Sequence, residues 1–148
     1  MRVAVACDHA GYILKDAVIL VIKSAGHDAI DLGTNSIDSV DFPDFAEKAG
    51  RAIQNGQAER AVVICGSGVG ACISANKMKG IYASVCHDTY SAHQGVEHDQ
   101  MNVLCLGGRI IGQDLAKELV TVFLQATFSQ EPRHLRRFAK IQAIERKG

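Results

Sequence analysis

A cysteine closes an apolar run and opens a glycine-rich turn at Ile64-Cys65-Gly66-Ser67-Gly68-Val69-Gly70. Glycines let the backbone approach a ligand, and the free N–H groups and dipole of a helix start attract negative charge. A thiol at that positive end favours its thiolate, so Cys65 is a candidate base or nucleophile. The loop amides would then stabilise an enediolate or another oxyanion beside it. A tight strand-to-helix turn that begins with a buried Cys is the plainer reading of the same residues. Dinucleotide binding is another: Gly66, Gly68 and Ala71 fit G-x-G-x-x-G/A, and Asp88 lies 22 residues past Gly66, near where a ribose-binding acid is expected. That reading leaves no second domain for a substrate and no role for the chain's histidines and arginines. A hydrolase nucleophile elbow does not fit Ser67, because Cys65 and Val69 occupy the glycine positions of G-x-S-x-G.

Among six histidines, His27 reads as a solvated turn residue. His87, His93 and His98 are spaced six and five apart, which does not put them on one helical face, so no metal site is expected. The run Arg133-His134-Leu135-Arg136-Arg137 continues into a helical stretch striped by Leu135, Phe138 and Ile141. Arg133 and Arg137, four apart, project from one face and could clamp a phosphate together. A solvated basic face is the ordinary alternative. Nucleic acid is a poorer fit, with 5% aromatic residues and a net charge of zero. The five cysteines are odd in number and hold no C-x-x-C pair, which suits a reducing cytoplasm. Apart from Cys65 they read as small buried hydrophobes.

Short Val- and Ile-rich runs must carry these residues: Arg2 to Cys7, Arg60 to Cys65, Tyr82 to Cys86, Asn102 to Leu106, and a weaker one from Asp28 to Leu32. Helical spacing lies between them, as in Ile13, Ala17, Leu20, Val21 and Ser24, or Leu115, Leu119, Val122 and Phe123. Gly26, Gly56 and Gly80 stand where glycines end helices, and Pro43 where a first turn tolerates proline. Such alternation predicts an α/β chain, a three-layer Rossmann-like fold with a parallel five-stranded sheet and helices on both faces. Ligands of such sheets sit beyond the strands' carboxyl ends. Asp8 and His9, Cys65 to Gly70, His87 and Asp88, and Gly107 to Arg109 fall there.

A chain of 148 residues suits one domain, and 47% hydrophobic with 22% charged residues fills a core and excludes dominant disorder. The longest apolar run, Ala17 to Ile22, is far short of a membrane span, and Asp8 and His9 interrupt any leader-like start. The charge is uneven: from Arg133 onward there are six basic residues and one Glu.

In their order these motifs resemble the type B ribose-5-phosphate isomerases and their lactose-pathway galactose-6-phosphate isomerase relatives, over essentially the whole chain. The resemblance rests on Val5 to Gly11, Asp31 to Thr34, Asp41 to Phe45, Ile64 to Gly70, Ser74 to Lys77, Asn102 to Leu104, Gly107 to Gly112 and Arg133 to Arg137. It implies aldose–ketose isomerisation of a phosphosugar without metal or organic cofactor. Cys65 would carry a proton between C2 and C1. Gly66, Gly68, Val69 and Gly70 would surround the enediolate, Ser67 would help move protons at O1 and O2, and His98 would open the furanose ring. Asp8 and His9 match substrate contacts, His9 on the phosphate side, and Arg109, Arg133 and Arg137 match phosphate ligands. The family's dimeric habit implies that the last helix, about residues 129–147, reaches toward a partner subunit, with a dimer of dimers also open. Asp99 departs from the family's usual Asn, and an ionised Asp only accepts hydrogen bonds. Phe42 stands where many relatives carry Tyr. The sugar is therefore open: ribose 5-phosphate first, then erythrose 4-phosphate, allose 6-phosphate or galactose 6-phosphate.

Overall fold

Side chains along the central strands sort by size between the two faces of the sheet. Val3, Val5 and Cys7, Val62 and Ile64, and Leu104 and Leu106 point one way, into a core completed by Leu14, Val18, Ile22, Leu119 and Phe123. Ala4 and Ala6, Ala61, Val63 and Cys65, and Val103 and Cys105 point the other way, against Ala46, Ala49, Ala52, Ala71 and Ala75. Strand side chains alternate faces. One helical layer thus packs at a distance set by Leu, Ile and Phe, and the other approaches closely over alanines.

A computed structural model describes all 148 residues. In chain order the elements are β1 (Arg2–Cys7), α1 (Tyr12–Ser24), β2 (Asp28–Asp31), α2 (Phe42–Gln54), β3 (Arg60–Cys65), α3 (Val69–Ala75), β4 (Ala83–Val85), α4 (Thr89–Asp99), β5 (Val103–Gly107), α5 (Gln113–Gln125) and α6 (Pro132–Lys147). The sheet runs β2-β1-β3-β5-β4 and every pairing is parallel. Strand order reverses at β1, which sends the chain to β2 on one side and β3 on the other. That reversal opens a crevice at the carboxyl ends of β1 and β3. No helix is long and apolar enough to cross a membrane.

Several expectations change in detail. The fourth strand contracts to Ala83–Val85, because β4 is an edge strand paired only with β5. Helix α3 is short and stops at Ala75, so Gly80, expected at a helix end, lies beyond it. In α1 the buried side is Leu14, Lys15, Ala17, Val18 and Ile22, while Ile13 and Leu20 are 67% and 57% exposed. Both stripes have helical spacing, and only the position of the sheet decides between them. In α6 the buried residues are His134 and Phe138; Leu135 lies on the outer face, and Ile141, 38% exposed, lines a hollow beneath the helix. The helix docks on its own chain. Phe138 meets Tyr82 edge to face at 5.0 Å, and the Glu145 carboxylate accepts from the Gly80 amide and the Tyr82 hydroxyl.

Candidate active site

The register of the sheet brings three loops to one place. Cys65 pairs with Gly107 at the end of β5, and Cys7 pairs with Ile64. Asp8, His9, Cys65, Gly66, Ser67, Gly70 and Arg109 therefore converge on one cavity of about 410 Å³, walled by Ala10, Phe42 and Ile110. A hollow of about 600 Å³ beneath α6 is larger, but no thiol or imidazole lines it.

The Cys65 side chain is only 4% exposed, and its sulfur accepts from the Gly68 amide at 3.2 Å. Gly68 adopts φ 83°, the left-handed region that turns the chain into α3. The loop lies so close to β5 that a Cβ on Gly107 would meet the Ser67 backbone at 2.8 Å. Val69 donates to the Ser67 hydroxyl, whereas the amides of Gly66, Ser67 and Gly70 have no partner within the chain. The result is a sulfur beside unspent N–H groups, an arrangement suited to proton abstraction next to a developing oxyanion.

Asp8 is buried, and one carboxylate oxygen accepts from the Ala10 and Gly11 amides, fixing the turn after β1. His9 accepts from the Val40 amide through Nδ1 at 3.1 Å, which leaves the ring proton on Nε2. Arg109 is exposed beside Gly66 and makes no ion pair. Phe42, at the start of α2, lies flat enough over Gly70 that a Cβ there would meet its ring at 2.6 Å. His87 sits behind the loop, where its Nε2 accepts from the Gly107 amide and burial pushes its pKa down. Lys15, buried in α1, reaches Asp31, the Thr34 carbonyl and Asn35, and so ties down the loop after β2. A lysine on the buried side of an apolar helix was the available signal for that anchor, and spacing alone passes over it.

The remaining expected residues lie elsewhere. Helix α4 starts near the Cys65 end, where His87 meets Gly107, and descends along the sheet. His98 sits roughly 14 Å down its axis from Thr89. At that opposite end His98 stacks on His134 of α6, with ring centroids 4.0 Å apart and planes 24° apart. Gln94 lies 2.8 Å from His98 Nδ1, and Ser129 hydrogen-bonds His134 Nδ1. Asp99 is exposed beside them. Arg133 pairs with Glu131 at 2.9 Å, while Arg137 has no ion-pair partner; both face outward. One chain thus holds two separate groups, Cys65 with the loops at one end of the sheet and His98 with the arginines at the other.

Asp88 caps α4 by accepting from the Ser91 amide, which holds its carboxyl below the usual range. It follows β4, two positions from β3 in the sheet, so it does not stand beside the glycine loop as a ribose-binding acid would. Cys72 is a second correction. It is half-buried and contacts Asn76 and the Ala83 carbonyl, and hydrogen bonding with Cys105 brings its pKa down to about 6. Cys7 behaves as a buried thiol should, pushed up to about 11. No group of three His, Cys, Asp or Glu side chains converges as a metal site.

The family profile described as Ribose/Galactose Isomerase matches residues 3–141. Ribose-5-phosphate isomerase B of Escherichia coli (strain K12) is 39% identical over 146 residues, covering 99% of this chain and 97% of that protein. D-erythrulose-4-phosphate isomerase of Pectobacterium atrosepticum is 37% identical over 133 residues, covering 86% and 85%. Among solved structures, Clostridium thermocellum ribose-5-phosphate isomerase B superposes with a TM-score of 0.95 at 43% identity, covering 99% of each chain.

Proposed function

This chain belongs to the ribose/galactose isomerase family, and on that premise we propose that it interconverts ribose 5-phosphate and ribulose 5-phosphate through an enediolate. The observation that carries this reading is the Cys65 sulfur held under a glycine loop with unspent amides, in a cavity that also contains His9 and Arg109. Cys65 takes the proton from C2 and returns it to C1. The electron pair released at C2 moves into the C1–C2 bond and onto O1, where the amides of Gly66, Ser67 and Gly70 receive the charge. Protons pass between O1 and O2 by way of the Ser67 hydroxyl. Asp8 orients sugar hydroxyls, and His9 and Arg109 lie on the phosphate side. Amides and arginines supply the positive potential in this scheme, which needs neither metal nor organic cofactor.

His98, Asp99, Arg133 and Arg137 serve this chemistry from a second copy of the chain. Their position at the far end of the sheet from Cys65 supports that assignment, and the exposed Leu135 between Arg133 and Arg137 suits a subunit contact. The proposed enzyme is a homodimer with shared sites. Five free thiols suit a reducing compartment, so its proposed setting is the cytoplasm.

A second reading keeps the chemistry and changes the sugar. Phe42 closes the cavity over Gly70 with an apolar wall. Such a wall offers no hydrogen bond to an added sugar hydroxyl and favours a shorter substrate such as erythrose 4-phosphate. A coupled assay with ribose 5-phosphate and ribulose 5-phosphate, run beside erythrose 4-phosphate, allose 6-phosphate and galactose 6-phosphate, tests both. Preference for the pentose supports the first reading and preference for the tetrose the second. No turnover of any phosphosugar by folded protein overturns both.

A further inference from the structure

A histidine that opens a sugar ring must present one nitrogen to the ring oxygen or the anomeric hydroxyl while its plane stays fixed. His98 stands on the last turn of a helix and is half-buried, a place where an unsupported imidazole changes rotamer freely. Two contacts hold it. Gln94, one turn earlier, occupies Nδ1 at 2.8 Å and leaves Nε2 for chemistry. His134 covers one face of the ring at a centroid distance of 4.0 Å.

His134 is itself locked. It is 3% exposed, and its Nδ1 bonds the Ser129 hydroxyl. The Ser129 amide donates to the Glu97 carbonyl at 2.9 Å, which joins the approach to α6 to the turn carrying His98. Burial lowers the His134 pKa first, and the neighbouring His98 and Arg133 lower it further. A neutral ring stacked on His98 can accept the charge His98 gains on taking a proton, since an aromatic face attracts a cation. A charged partner would repel it.

We propose that His134 is a positioning residue for ring opening, a buried imidazole that fixes the plane and rotamer of His98 by stacking. This rests on the reading of His98 as the ring-opening residue, and it gives a role to the one buried residue of the basic run.

Substrate chemistry separates the step His134 serves from the step Cys65 serves. Ribose 5-phosphate is a closed furanose, so its turnover requires ring opening. Ribulose 5-phosphate has its O5 esterified and stays open-chain, so exchange of its C1 proton with solvent deuterium needs only the Cys65 step. His134→Ala should lower kcat for ribose 5-phosphate about 10- to 100-fold, the scale set by displacing a catalytic group. The KM should stay within about 2-fold and C1 exchange from ribulose 5-phosphate within about 3-fold of the unmodified enzyme. His134→Phe, which keeps a stacked ring, should recover most of the ribose turnover, and it carries the test if the alanine variant does not fold. A raised KM with kcat intact would make His134 a substrate contact and overturn the proposal. Equal loss of turnover and exchange, or a phenylalanine variant as impaired as His98→Asn, would overturn it too. If the unmodified enzyme shows neither turnover nor exchange, the isomerase reading itself fails and takes this one with it.

Discussion

A base that works only in the transition state and an anion hole made of backbone respond differently to mutation. In the proposed mechanism, removing the Cys65 sulfur deletes the group that moves the proton while leaving the phosphate contacts intact. Cys65→Ala should therefore lower kcat by about 10²- to 10⁴-fold. Phosphosugar affinity, read by calorimetry, should change little. Ser67→Ala should cost less in the same assay, because the amides of Gly66, Ser67 and Gly70 remain in place. A Cys65 variant that keeps near-normal turnover removes the thiol from the mechanism. These residues were legible because a glycine loop announces itself within seven consecutive positions. Cys72 was not. Its lowered pKa comes from Cys105, a residue that only the fold brings near. His134 stayed hidden for a related reason: within a run of arginines, sequence carries no sign that one side chain turns inward.

Loops rather than helices or strands set the tolerances at the scale of elements. The turn from β3 into α3 depends on Gly68 at φ 83°, where an added Cβ would also press the Leu106 carbonyl carbon at 3.1 Å. Gly68→Ala should destabilise the protein by about 1–3 kcal/mol, the usual strain of a non-glycine residue held there. It should also lower kcat, because the amide that donates to the Cys65 sulfur moves with the turn. Urea unfolding and steady-state rates on the same sample check the pair; unchanged values of both would contradict the close approach of the loop to β5. The ends of α1 and α2 were legible from single glycines, since Gly26 and Gly56 follow their last turns at positive φ, whereas Gly80 has a positive φ but lies well beyond the end of α3 at Ala75. The inward side of α1 was not legible, because that helix carries two apolar stripes and the sheet selects one. The length of β4 depends on its place at the edge, which follows from a strand order that local pattern does not encode.

For the whole molecule the governing fact is distance. The fold was foreseen as five parallel strands with helices on both faces, and the carboxyl ends of those strands do gather Cys65, His9 and Arg109. That His98 sits at the other end follows from the direction of α4, which a list of motifs leaves unstated. Mixing Cys65→Ala with His98→Asn chains under conditions that exchange subunits should restore turnover, because each heterodimer regains one site with both groups intact. Recovery toward half the normal activity per heterodimer is expected; verified exchange without recovery would return His98 to its own chain. The separation also has a genetic consequence. On the proposed sharing of sites, each chain carries two half-sites that answer to different selection, and neither needs its own counterpart once another chain supplies it. After gene duplication, one copy is free to lose its thiol end and the other its imidazole end, provided the two products meet. Dividing the labour leaves one working site per pair instead of two, and from then on the cell must keep both genes.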